Sequence, residues 1–368
     1  MDELIHVFSP VTVKSLTVRN RIVCPPMNFN YGSEEGFVTE RGIAFYRNVA
    51  EGGTGLVQVG ACAISPDSLV TTNQIRGDDD KYIEGLSRLF RAIKQAGAIA
   101  SVQLVHPGKL IHSPKPKPQV GPFPPGPILP IQPRDWNREE LSRVKNAFAR
   151  AALRVKQAGA DMITIHGAHH YLLNELMSPY FNERSDEYGG GLSNRVKFPI
   201  EVITEVRKTV GTDFPIVFRI SGSDFLEGGL TLNDIKMIVP FLINAGIDVI
   251  DVSAAGRVTY GSTEDRTFPS KKWGPACNVF LATGIKEISS VPVICVGNIW
   301  SLEQAEDILA NNKADMVAMG RALIADPALV RKAKKGDIES IMECKHCNKC
   351  LYFLHGQPSM SCPLNSNL

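Results

Sequence analysis

Eight times along this chain, a short apolar run is followed by an amphipathic stretch long enough for a helix. Apolar runs at 21–24, 55–61, 99–104, 161–165, 215–220, 248–252, 291–296 and 315–319 predict strands. The stretches at 42–51, 80–95, 139–157, 194–209, 231–244, 277–289, 301–310 and 321–335 predict helices. Eight strand-then-helix units in succession predict an α/β fold, a (β/α)8 TIM barrel. A doubly wound sheet would place G-x-G-x-x-G after its first strand, and that motif is missing there. The seventh helix opens on a capping-box pattern, Ser301 with Gln304 three residues on. Residues 11–18 predict a hairpin that plugs the lower end of the barrel.

The 368 residues are 43% hydrophobic and 21% charged, enough apolar material for one large core. A formal net charge of +2 is too balanced for a nucleic-acid or membrane surface. The first residues carry an early acidic pair and no apolar core of a leader, and no apolar run is long enough to span a bilayer. Of eight cysteines, four are scattered (Cys24, Cys62, Cys277, Cys295) and four crowd the last 25 residues. That distribution predicts a reducing, cytoplasmic setting with a metal site instead of disulfides. The expected domains are a barrel over 1–340, carrying a proline-rich insertion at 112–136, and a cysteine-rich tail over 341–368. The insertion is stiff, because proline fixes φ and lacks an N–H. It follows the third strand and reads as a lid, a channel wall or a plain surface loop.

Chemistry concentrates at strand ends. His166, His169 and Tyr171 fall where the fourth apolar run gives way to a loop, the end of a barrel strand that carries catalysis. Two imidazoles beside a phenol suit two hydrogen bonds to a substrate oxygen and a nearby acidic O–H. The seventh and eighth strands each lead into a glycine-containing turn, with Gly297 and Asn298 at one and Gly320 and Arg321 at the other. Barrels commonly hold a phosphate there, and Arg321 adds a forked cation. Arg219 inside an apolar strand demands a partner. In the tail, Cys344, Cys347, Cys350 and Cys362 are spaced C-x2-C-x2-C-x11-C, which suits a [4Fe–4S] cluster or a structural Zn²⁺.

These motifs, in order, resemble the Old Yellow Enzyme family of FMN-dependent oxidoreductases, in the branch of the NADH:flavin oxidoreductases and bacterial 2,4-dienoyl-CoA reductases. The resemblance rests on LTVRNRIVCPPM (16–27), SVQLVHPGK (101–109), IHGAHHYL with SPYFNERSDEYGGGLSNR (165–195), FRIS (218–221), VGNI (296–299) and ADMVAMGRALIADP (314–327). It implies FMN lying along Pro25, Pro26 and Met27, with the Ala61 backbone and the Gln103 side chain at the pyrimidine edge and Arg219 near N1. Gly297, Asn298, Gly320 and Arg321 would hold the phosphate. His166 and His169 would bind a substrate carbonyl oxygen, and Tyr171 would give a proton to the α-carbon after hydride reaches the β-carbon. The tail would carry the branch's [4Fe–4S] cluster in preference to zinc.

Departures from the branch are local. The gap between Cys347 and Cys350 is two residues where three are common, and Asn28 stands where one subgroup has a flavin-tuning cysteine. The segment 253–275 lacks the histidine of the dienoyl-CoA reductases and offers Tyr260 and Arg266 instead. The expected activity is reduction of activated C=C bonds with NAD(P)H. The alternatives are an amine dehydrogenase resembling trimethylamine dehydrogenase and a flavin/iron–sulfur electron-transfer protein. Expected partners are a small unsaturated molecule, NAD(P)H or an external electron donor, and further copies of the chain in a homo-oligomer, with no nucleic acid and no membrane.

Overall fold

The computed structural model describes residues 4–108, 136–254, 273–350 and 359–366. The body of the proline-rich insertion and the Tyr260 and Arg266 positions lie outside the described residues. Strands β1 (Val11–Val13) and β2 (Leu16–Val18) form an antiparallel hairpin. The next eight are β3 (Ile22–Cys24), β4 (Leu56–Ala63), β5 (Ile99–Val105), β6 (Met162–Gly167), β7 (Ile216–Ser221), β8 (Val249–Ser253), β9 (Val293–Val296) and β10 (Met316–Ala318). They close into a parallel barrel in chain order, β10 pairing with β3. All eight predicted strands are present, each within two residues of its expected limits.

Two separate cores explain the sequence pattern. Val23, Leu56, Met162, Val217, Val249, Ile294, Met316 and Ala318 pack together inside the barrel, and Val13 and Val18 of the hairpin join them, so the hairpin does stopper the lower end. Ile99 and Val296 pack against the same inner cluster, and most other apolar strand positions belong to the outer core shared with the helices. Alternation along each strand then fixes what lies above the inner layer. Two residues beyond Leu56, Met162, Val217 and Val249 stand Gln58, Thr164, Arg219 and Asp251, all buried. The barrel interior therefore turns from apolar to polar toward its C-terminal mouth.

The seventh crossover helix, Leu302–Ala310, begins with the predicted capping box, Ser301 accepting from the Gln304 backbone N–H. The last predicted helix is two, Gly320–Ala325 and Leu329–Lys334, separated at Asp326 and Pro327. Asp326 is extended (φ −134°, ψ 94°), as a residue preceding proline prefers, and Pro327 has no N–H to continue the ladder. One short helix, Leu172–Met177, sits inside the loop after β6, with Tyr171 as its N-cap residue. Among the described residues no helix is long and apolar enough to cross a membrane.

Candidate active site at the barrel mouth

The loop after β6 brings its three predicted rings together. The His166 ring lies 5.0 Å from that of His169 and 4.8 Å from that of Tyr171, nearly perpendicular to both. His166 Nδ1 accepts from the Ala168 backbone N–H at 3.3 Å, which leaves the ring proton on Nε2. His169 is in the left-handed region (φ 62°); its N–H donates to Ser221 Oγ at 2.9 Å, and its Nε2 is 2.7 Å from Ser253 Oγ. Burial holds both imidazoles well below the ordinary histidine range, and Arg219 adds to the effect at each. They are neutral donors at physiological pH, suited to an oxygen that gains charge. Behind them His170 is wholly buried with its Nε2 3.6 Å from Asp224, whose carboxylate accepts from Asn174, Ser178 and the Leu230 backbone N–H.

Arg219 does have the partner its position demanded. Its Nη1 donates to Asp251 Oδ2 at 2.7 Å, the two residues being cross-strand neighbours with His166 on the other side of Arg219. Burial raises the Asp251 carboxyl, against the opposing pull of Arg219. The sequence reading missed Asp251, although a carboxylate within the sixth apolar run was a visible signal. It also missed Ser221 and Ser253, whose hydroxyls orient His169.

The predicted flavin contacts fall on the same mouth. Gly60 backs onto Pro26 closely enough that an added Cβ would come within 2.5 Å of the proline Cβ, and Ala61 is the next residue of β4. A Cβ on Gly320 would lie 3.1 Å from Met27 Sδ and 3.5 Å from Pro25 Cγ, so the eighth turn meets the 25–27 segment. Among the described residues Gln103 Nε2 is buried without a hydrogen-bond partner, a donor available to a bound group.

At the predicted phosphate end, Gly297 (φ 140°) and Asn298 (φ 51°) turn the chain sharply after β9. Arg321 Nη2 donates to Asn298 Oδ1 at 2.5 Å and Nη1 to Asn348 Oδ1 at 2.7 Å. Asn348 lies between Cys347 and Cys350, so the cysteine loop is fastened to this turn. A ring contact of 4.0 Å between Trp300 and His346 reinforces the junction. Beyond the loop, Tyr31 Oη donates to the Met360 carbonyl at 3.0 Å and Asn365 Nδ2 to the Ile324 carbonyl at 3.0 Å, which seats the segment carrying Cys362.

The four tail cysteines share one neighbourhood. Burial pushes the Cys350 thiol up to about 12 and raises that of Cys344; each of these two thiols also senses Arg321, Cys347 and Cys362. Among the described residues, however, no three His, Cys, Asp or Glu side chains converge as a metal-ligand group. The donor set has the soft-thiolate chemistry of a cluster or zinc site, without its closed geometry.

The family model described as "NADH:flavin oxidoreductase / NADH oxidase family" matches residues 6–339. The chain is 39% identical to an NADH oxidase of Thermoanaerobacter brockii, over 95% of this chain and 54% of that protein. It is 35% identical to an NADPH dehydrogenase of Bacillus cytotoxicus, over 89% and 92% respectively. Among solved structures, a 2-naphthoyl-CoA reductase in complex with 2-naphthoyl-CoA superposes with a TM-score of 0.90 at 27% identity, covering 99% of this chain and 57% of that one. A histamine dehydrogenase from Rhizobium gives a TM-score of 0.83 at 28% identity, covering 98% and 52%. The chain thus spans about half the length of several proteins it matches. Strand order, mouth chemistry and family model agree, and the chain belongs to the NADH:flavin oxidoreductase / NADH oxidase family, as its Old Yellow Enzyme resemblance implied.

Proposed function

We propose that this chain is an FMN-dependent oxidoreductase that takes electrons from NAD(P)H and reduces C=C bonds conjugated to a carbonyl, as in an enone, enoate or enoyl thioester. The observation that carries the reading is the perpendicular His166–His169–Tyr171 cluster at the barrel mouth, one register step from the buried Arg219. Two neutral imidazole donors suit an oxygen that becomes negative during the reaction, and they cost little to reorganise because Ala168, Ser221 and Ser253 already fix them. Tyr171 supplies the proton that completes saturation.

The residues suited to hold FMN are Pro25, Pro26, Met27, Ala61, Gln103, Arg219, Gly297, Asn298, Gly320 and Arg321. Gln103 Nε2, without a partner among the described residues, and the glycine cradle beside Met27 support that fit. Bound FMN would supply the two-electron chemistry; the protein contributes position and charge. The tail cysteines Cys344, Cys347, Cys350 and Cys362 are proposed to bind a [4Fe–4S] cluster in preference to zinc, supported by three of these thiols, Cys344, Cys347 and Cys350, acting on Arg321. An amine substrate would call for aromatic faces around a cation, and the residues gathered here are hydrogen-bond donors.

An anaerobic titration of the purified protein with NADH and then NADPH, followed by visible absorbance, tests the reading. Bleaching of a flavin band that a cyclic enone reverses supports it. A flavin that bleaches only with dithionite or a reduced ferredoxin assigns the electron supply to an outside donor. A bleached flavin that no enone reoxidises sinks the ene-reductase assignment.

A further inference from the structure

Asp251 is the least expected charge in the barrel. It is 0% exposed, its Oδ1 has no hydrogen-bond partner among the described residues, and its other oxygen is 2.7 Å from Arg219 Nη1. A buried pair of this kind is a poor device for stability, because desolvating two charges offsets most of their attraction and an apolar pair of equal volume often does as well. The surrounding layer adds only a neutral neighbour: Gln58 turns its Nε2 to Thr164 and helps Arg219 to hold the Asp251 carboxyl down against burial. What the carboxylate does accomplish is to tether one guanidinium nitrogen and offset the arginine's charge in a region of low dielectric, where such an offset is felt most.

Resting on the reading that Arg219 faces bound FMN, we propose that Asp251 is a positioning residue that acts through Arg219, moderating its charge and so setting how strongly the site prefers reduced over oxidised FMN. Reduced FMN is the more negative of the two forms, so an unmoderated Arg219 would bind it more tightly. The carboxylate keeps that preference low enough for electrons to move on to the substrate.

The test is the reduction potential of bound FMN, measured spectroelectrochemically on the whole chain, together with FMN dissociation constants in both redox states. Asp251→Asn keeps the shape and removes the charge. The expected result is a rise of at least tenfold in the relative affinity for reduced FMN, about 30 mV for a two-electron couple. Asp251→Glu, which retains the charge, should stay near the parent value. Asp251→Ser serves as a second neutral variant should the asparagine form fail to fold. An unchanged or lowered potential in both neutral variants overturns the proposal, provided that Arg219→Met lowers it. If Arg219→Met leaves the potential unchanged, the placement of Arg219 at the flavin fails first and the proposal falls with it.

Discussion

Arg321 and Asn348 join the two ends of the site's chemistry: the guanidinium that faces the seventh-strand turn donates at 2.7 Å to an amide set between two tail cysteines. A bond from a charged donor is worth about 1.5–3 kcal/mol. Asn348→Ala should therefore weaken FMN binding by about tenfold and loosen the tail together. Isothermal titration of apoprotein with FMN, with iron assayed on the same preparations, reads both effects; a change in only one would separate the two sites.

Tyr171→Phe removes one proton donor and little volume. Alkene reduction should slow by about 10²–10⁴-fold, the range for a lost general acid, while flavin reduction by NAD(P)H keeps its rate. Stopped-flow traces of the two half-reactions decide it, and equal slowing of both would remove Tyr171 from this role.

His106 gives the fold a pH dependence. Burial pushes its imidazole down to about 4, with Asp67 opposing. The unfolded chain takes up this proton near pH 6.5 and the folded chain only near 4, so stability is full above 6.5 and falls as pH drops between those values. The loss amounts to about 3 kcal/mol. Urea midpoints from pH 4 to 7 should show that slope, and a His106→Gln variant should reduce it, leaving the share of the buried His166 and His169, which lose stability in the same direction.

Gly297 occupies a conformation that side chains avoid (φ 140°), and an added Cβ would approach Asn278 Nδ2 to 2.5 Å. Gly297→Ala should cost about 1–3 kcal/mol of stability and weaken FMN binding. A lowered urea midpoint at unchanged m-value would register the first effect.

Cys350→Ser tests the tail. The parent protein should contain about four iron atoms per chain, and the variant should lose them while retaining FMN. About one zinc per chain would identify a structural site instead.

The barrel was legible because it is a pattern of periods: short apolar runs, amphipathic helices between them, and proline or capping residues at the breaks. The ring cluster was legible for a related reason, since His166, His169 and Tyr171 are neighbours in sequence and a six-residue span cannot separate them far. The Ser301 cap is equally local. Asp251 was different: nothing in its own strand names Arg219, 32 residues away, as its partner. Only closure of the barrel, which fixes strand register, sets the two side by side on the inner face. The same holds for Asn348 and Arg321, and for the serines that orient His169. The sequence by itself determined which elements form and which local groups carry chemistry, because those follow from residue type and spacing. The tertiary structure decided which charges meet, because burial and cross-strand distance belong to no single segment.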